Sequence, residues 1–310
     1  MQGPSRVWRA LLPGCAALVL ATGLAACDTL SFAAANVPAY FAGSARTAGI
    51  AYARGARGRL DVYRPQSTRT AGALPVIVFF YGGSWTSGRR IDYRFAATAL
   101  SELGFVVVVP DYRLYPEVRF PAFVDDGAAA VAWTQQHVRD YGGDPGRIVL
   151  AGHSAGAYIA ALLAVDDAYL RRAGADPAAI TGLITLSGPM HLRPNTATLN
   201  TIFGAPYGAP DWQVTARVSR PVPQALLLHG RDDQLVGVDN SELFAERLRQ
   251  QGSAVTLKVY DHCDHVCTLA ALSVPGRHRA PVLADVTAFL RGLPLRGSGT
   301  ATAAAGGHLN

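Results

Sequence analysis

The chain has 310 residues and a mass of 32.7 kDa, enough for one large domain or two small ones, and a single domain of that size could bury about three quarters of its unfolded surface. Half of the residues are hydrophobic and 16% are charged, which excludes wholesale disorder. Beyond the N-terminus no uninterrupted apolar run reaches the roughly 18 residues of a membrane-crossing helix, which excludes a polytopic membrane protein. The formal charge is +6 and the pI about 9.3. The basic residues are almost all Arg, Lys258 being the one lysine, and they are scattered without stripe or cluster. That scatter reads as a solvated surface rather than a nucleic-acid footprint, so no nucleic acid is expected as a partner.

Arg6 and Arg9 open the chain with positive charge. An apolar stretch over 10–24 follows, interrupted by Pro13, Gly14 and Gly23. It is too short and too broken for a membrane span but suits the apolar region of a secretory signal. It ends Leu24-Ala25-Ala26-Cys27, which resembles the lipobox of bacterial lipoproteins. The resemblance implies that 1–26 is a lipoprotein signal peptide and that the Cys27 thiol is acylated before cleavage. The alternative is an ordinary signal peptide with a cysteine nearby. Acyl chains at Cys27 would anchor the protein to the lipid bilayer, because each buried CH2 contributes about 0.8 kcal/mol. Asp28 follows, and in lipoproteins Asp there accompanies retention on the inner membrane, so the expected location is the periplasmic side of a bacterial inner membrane. Cleavage would remove two Arg and no acid, lowering the formal charge from +6 to +4.

Residues 27–46 are small and Ala-rich and are expected to form a flexible spacer. Residues 295–310 are mostly Gly, Ala, Ser and Thr and read as a disordered tail. One domain is expected over 47–294. Within it, 59–63 alternates like a half-buried edge strand, and 75–80 and 105–109 are β-branched and aromatic runs of strands buried on both faces. A helical pattern over 91–103 separates them, and another covers 125–141. Further buried strands are expected at 147–151, 180–186, 225–229 and 255–260, and helices at 155–164, 241–251 and 281–290. Strand then helix, so often repeated, predicts an α/β fold: a mostly parallel sheet with helices on both faces. In such a sheet, chemistry is expected beyond the carboxyl ends of the strands. The segment 192–220 breaks the rhythm with Pro and Gly and is a candidate lid-like insertion.

Gly152-His153-Ser154-Ala155-Gly156 directly follows a buried strand and opens a helix. That is the context of a nucleophile elbow, where glycines tolerate the turn that lifts the hydroxyl clear of the sheet. A serine hydroxyl is a poor nucleophile at neutral pH, so it needs a base, an orienting acid and an oxyanion site. Tyr81-Gly82-Gly83-Ser84-Trp85 follows a strand, and its glycines let backbone N–H groups turn inward toward a developing oxyanion. The N–H of Ala155, at a helix N-terminus, is the other donor. After a later strand, His229-Gly230-Arg231-Asp232-Asp233 supplies two carboxylates. Asp233 is taken as the orienting acid, with Asp232 the alternative. The base must follow, which leaves His262, His265, His278 and His308. His265 is taken and His262 kept as the alternative, since His278 lies in an Arg-rich stretch and His308 in the tail. His137 reads as a surface residue, His153 as elbow packing, and His191 as a candidate pocket residue.

These segments, with Asp111-Tyr112-Arg113-Leu114-Tyr115-Pro116-Glu117, Phe120-Pro121-Ala122, Asp125-Asp126 and Tyr141-Gly142-Gly143-Asp144-Pro145, resemble the α/β-hydrolase superfamily over about 57–290. Within it they are similar to the carboxylesterases of the hormone-sensitive-lipase and bacterial feruloyl-esterase-like (BD-FAE) branch, which also holds kynurenine formamidases and isoprenylcysteine methylesterases. The resemblance implies an α/β-hydrolase fold and a serine carboxylesterase acting on a small-molecule ester. Ser154 would be nucleophile, Asp233 acid and His265 base, with an oxyanion hole at Gly83, Ser84 and Ala155 and no cofactor or metal. It also implies that 111–117 braces the loop beneath the site. Tyr81 stands where the family has His, which leaves open how the oxyanion loop is held. The alternatives are an amide hydrolase on the same triad, formamidase-like or peptidase-like, and a non-catalytic binding lipoprotein.

Four cysteines are present. Cys15 lies in the signal and Cys27 at the lipobox, leaving Cys263 and Cys267 on either side of His265. In an oxidising compartment these two could form a small disulfide loop, they could remain free thiols, or His262, Cys263, His265 and Cys267 could be clustered zinc ligands.

Overall fold

The computed structural model describes residues 32–66 and 72–293. The signal peptide, Cys27, His308 and the tail lie outside the described residues. Eight strands form one sheet: β1 Ser44–Ala51, β2 Arg59–Pro65, β3 Leu74–Phe80, β4 Val106–Pro110, β5 Gly143–His153, β6 Ile180–Leu186, β7 Gln224–Gly230 and β8 Val255–Tyr260. Their order is β1-β2-β4-β3-β5-β6-β7-β8. β1 and β2 pair antiparallel, as do β2 and β4, and every other pairing is parallel. This is the mostly parallel sheet that the strand–helix alternation predicts, with the strand pattern that the resemblance to α/β-hydrolases implies.

Val76–Phe80, all of β4, and Leu183–Leu186 are buried without a break. Continuous burial along a strand requires cover on both faces, and five main helices provide most of it. These are α1 Arg94–Ser101, α2 Ala122–His137, α3 Ala155–Val165, α4 Asp239–Gln250 and α5 Val282–Gly292. All eleven residues of α3 are buried, so the helix that follows Ser154 is a core element. The insertion carries three short helices, Ala197–Ile202, Ala209–Trp212 and Val214–Arg217. Among the described residues no helix is long and apolar enough to cross a membrane.

Three expectations are corrected. The strand at 59–63 is not an edge: Leu60, Asp61, Val62 and Tyr63 are all buried, because β1 covers its free side. β1 in turn starts at Ser44, inside the stretch expected to be spacer. Residues 32–40 ahead of it are helical and packed, with Phe32 against Tyr93 (ring centroids 5.3 Å). The domain therefore extends at least to Phe32, well ahead of the expected boundary at 47. Finally, β8 is not a buried run but the opposite edge, with Thr256 and Lys258 exposed.

Asp61, on β2, ties the β1 edge to the sheet. Its carboxylate, fully buried, accepts from Arg46 (2.6 Å), Arg90 (2.9 Å) and the N–H of Gly49 (2.8 Å). A buried carboxylate persists only when its lone pairs are filled in this way.

Candidate active site

β5 ends at His153, and Ser154 caps α3 with φ +54°, a left-handed conformation disfavoured for a residue with a Cβ. The elbow is possible because its flanks lack side chains. A Cβ at Gly152 would meet the Gly156 carbonyl at 2.5 Å, and one at Gly156 would meet the Phe80 oxygen at 2.1 Å. The Ser154 N–H donates to the Leu186 carbonyl (2.9 Å) and the Ser154 carbonyl accepts from the Tyr158 N–H (3.1 Å). The turn is thus held from β6 on one side and from α3 on the other.

Three loops at the carboxyl ends of β5, β7 and β8 converge. Ser154 Oγ lies 2.9 Å from His265 Nε2, and His265 Nδ1 lies 2.7 Å from Asp233 Oδ2. The other oxygen, Asp233 Oδ1, accepts from the N–H groups of Leu235 (3.0 Å) and Val236 (2.8 Å). Burial on its own would raise the Asp233 carboxyl. Hydrogen bonds from His229 and His265 and from the Val236 N–H outweigh it and hold the group well below the usual carboxylate range. Asp233 is therefore an anion aimed at the imidazole.

The alternatives take other positions. The Asp232 side chain is 57% exposed, 4.0 Å from His262, whose own side chain is 97% exposed. His278 and His137 are exposed. His191 hydrogen-bonds Thr215 (3.1 Å) and donates its backbone N–H to Asn240 Oδ1 (2.9 Å), joining the insertion to α4. Cys263 and Cys267 are bonded to each other as a disulfide that brackets His265. With His265 committed to Ser154 and Asp233, the four residues do not form a common ligand set.

Two histidines support the site from beneath. His153 Nε2–H donates to the carbonyl of His265 (3.1 Å), fixing the backbone of the base. Burial, and then the neighbouring His265 charge, lower its pKa to about 3, so it stays a neutral donor. His229, fully buried, has Nε2 2.8 Å from the Val236 carbonyl and 3.3 Å from Asp233 Oδ2, while its Nδ1 accepts from the Ser241 hydroxyl (2.7 Å). No role for His229 was read from the sequence. The available signal was a histidine in the last turn of an apolar strand, four residues ahead of the acid.

The loop after β3 reaches over the elbow: a Cβ on Gly82 would meet Ser154 Cβ at 3.1 Å. Ser84 (φ +52°) and Trp85 (φ +58°) are both left-handed, strain that the surroundings must hold. They do so through tyrosines. Gly82 N–H donates to the Tyr93 hydroxyl (3.0 Å), the Tyr112 hydroxyl donates to the Tyr81 carbonyl (2.7 Å), and the Tyr81 and Tyr112 rings stack at 4.5 Å. Arg57 donates to both the Tyr81 hydroxyl (3.0 Å) and the Gly88 carbonyl (3.1 Å). The run 111–117 thus braces this loop, and Tyr81 anchors it through ring stacking and its hydroxyl. Among the described residues no acceptor occupies the N–H of Gly83 or Ser84. Ala155, first in α3, has no partner within its own helix.

Comparison with known proteins gives the same architecture. The BD-FAE family model matches residues 60–248. A probable isoprenylcysteine alpha-carbonyl methylesterase of Arabidopsis thaliana is 29% identical over 239 residues, 70% of this chain and 50% of that protein. Esterase LipQ of Mycobacterium tuberculosis is 29% identical over 268 residues, 80% of this chain and 63% of that one. The chain thus spans between half and two thirds of the length of these relatives. Among solved structures, a tributyrin phosphonate complex of esterase B from Lactobacillus rhamnosis superposes with a TM-score of 0.75 at 20% identity, covering 91% of this chain and 96% of that one. Butyrate-bound esterase 2 of Thermogutta terrifontis superposes with 0.65 at 21%, covering 80% and 94%. At such identities the likeness is one of fold.

Proposed function

Because the chain belongs to the BD-FAE family, we propose that it is a serine carboxylesterase that hydrolyses small-molecule esters through an acyl-enzyme. The observation that carries this is the unbroken hydrogen-bonded line from Ser154 Oγ through the His265 ring to a buried, ionised Asp233. His265 Nε2 takes the Ser154 proton as Oγ attacks the ester carbonyl. Asp233 holds the imidazole with Nδ1–H toward itself and stabilises the imidazolium that forms. The N–H groups of Gly83, Ser84 and Ala155 receive the oxyanion, preorganised donors being worth roughly 2.7–4 kcal/mol each in such sites. His265 then returns its proton to the departing alcohol. A water deprotonated by the same nitrogen releases the acid and restores Ser154.

The chain is also proposed to be exported and tethered through acylated Cys27 on the periplasmic side of the inner membrane. The Leu24-Ala25-Ala26-Cys27 sequence supports this, and the Cys263–Cys267 disulfide fits an oxidising compartment. Mass spectrometry of the mature N-terminus should find acyl groups on Cys27; an unmodified residue there contradicts the tether.

A panel of p-nitrophenyl esters from acetyl to palmitoyl tests the activity, with Ser154→Ala alongside. Turnover by the native chain and its loss in the variant is the expected result. Equal turnover in both, or activity confined to amide substrates, overturns the proposal.

A further inference from the structure

The segment ahead of β1 is packed on its inner side and bare on its outer side. Asn36 is fixed at both ends, its amide donating to the Asp92 carbonyl (2.9 Å) and its oxygen accepting from the Phe95 N–H (2.8 Å). Yet Val37 is 56% exposed, Tyr40 57% and Phe41 87%. A groove of about 60 Å³ runs from this segment to Val274, itself 54% exposed. Two cations border the same surface. The Arg94 guanidinium lies 4.0 Å over the Tyr40 ring, and Arg277 lines the groove, where Glu102 is the one acid among the described residues. Three apolar side chains left in water within five residues are unusual unless something covers them.

The proposed acyl anchor identifies the cover. Cys27 is five residues from Phe32, and five residues span at most about 17 Å even when fully extended. If Cys27 is held in a bilayer, the segment starting at Phe32 cannot stand clear of its surface. Aromatic side chains flanked by Arg are the composition that settles at a membrane interface, the rings at headgroup level and the cations on anionic lipid. We propose that Val37, Tyr40, Phe41 and Val274, with Arg94 and Arg277, form a docking face that seats the domain on the phospholipid bilayer carrying its anchor. The proposal rests on the tether proposed above. It fixes an orientation as well as an attachment: Phe32 packs on Tyr93, whose hydroxyl holds the Gly82 N–H, so the docked segment lies two contacts from the oxyanion loop.

The test uses the full-length, acylated protein in vesicles of phosphatidylethanolamine and phosphatidylglycerol brominated on their acyl chains. Phe41→Trp places a fluorophore in the face. Glu246→Trp places one on the exposed side of α4, over the opposite edge of the sheet, and the native chain supplies the background. The added emission at 41 should fall roughly twofold in brominated vesicles while that at 246 is unchanged. Mass spectrometry of the same preparation reads the anchor separately. Acylated Cys27 with no quenching at 41, or equal quenching at both sites, overturns the docking face alone. The same result with a chain that sediments as a dimer assigns the face to a second copy. A bare Cys27 overturns the tether and the docking argument with it.

Discussion

Asp233 works through what surrounds it. Both oxygens are filled, one by backbone N–H groups of its own turn and the other by two imidazoles, so the carboxylate is locked in place as well as ionised. Asp233→Asn keeps the shape but presents an amide to His265 Nδ1 and favours the wrong tautomer. It should lower kcat on the order of 10³- to 10⁴-fold with little change in KM, read by steady-state kinetics on a p-nitrophenyl ester. His153 makes a different prediction, one about stability. Its folded pKa is depressed to about 3, whereas an unfolded histidine titrates near 6.5. Below about 6.5 the unfolded chain takes up a proton that the folded chain refuses. Stability from this residue is therefore present at neutral pH and is lost as pH falls toward 3, at a slope approaching 1.4 kcal/mol per pH unit. Denaturant unfolding across this range should show His153→Asn losing less stability on acidification than the native chain; parallel curves would contradict the assignment.

At the scale of elements, the turn carrying the base is the most heavily fastened part of the site. It closes on itself through the Cys263–Cys267 disulfide, and Gly230 approaches it so closely that a Cβ would sit 2.1 Å from the Cys263 carbonyl. A loop this short gains only about 2 kcal/mol from cross-linking, by the entropy it removes from the unfolded chain. Cys263→Ser with Cys267→Ser should cost no more than that in thermal unfolding, while lowering kcat more than it raises KM, because His265 loses its frame. The insertion has the complementary role of filling space. Trp85 meets Phe203 edge-on at 4.8 Å and Tyr158 at 5.3 Å, and Tyr158 is one helical turn from Ser154. These rings form one packed cluster between α3, the loop after β3 and the insertion. The ester panel should favour short acyl groups, and Phe203→Leu should move the optimum toward longer ones at a stability cost of about 1 kcal/mol.

The same scale explains what the sequence could reveal. β3, β4, β6 and β7 are legible because a strand buried on both faces must be a continuous run of apolar residues. The side chains proposed as nucleophile, acid and base are legible because each follows the carboxyl end of a strand within a short motif, Ser154 and Asp233 after the buried β5 and β7 and His265 after the edge strand β8. β1 is not, since Ser44, Arg46, Thr47 and Gly49 carry no β pattern and its register shifts between Thr47 and Ile50. It is held by the buried Asp61 and the arginines around it, a long-range pairing that local propensity does not record. β8 misled for the opposite reason: Val255, Leu257 and Val259 look like a buried strand until the exposed alternate positions are placed on an edge. The roles of His229 and Tyr93 depend on where the fold brings Asp233 and Gly82, which spacing alone does not specify.

For the whole molecule, the sheet brings loops from β3, β5, β7 and β8 to one rim, so that chemistry is shared among segments up to 183 residues apart in sequence, from Gly82 to His265. The segment from Phe32 to Phe41 joins that rim through Phe32, which packs on Tyr93, the ring whose hydroxyl holds the Gly82 N–H. All of this depends on Ser154 being the activated hydroxyl, and covalent capture tests that most directly. After reaction with one equivalent of a fluorophosphonate ester, peptide mass spectrometry should place a single phosphonyl group on Ser154, with loss of esterase activity in proportion to labelling and no label in His265→Ala. Labelling at another residue, or full activity in a chain stoichiometrically modified at Ser154, would contradict the account.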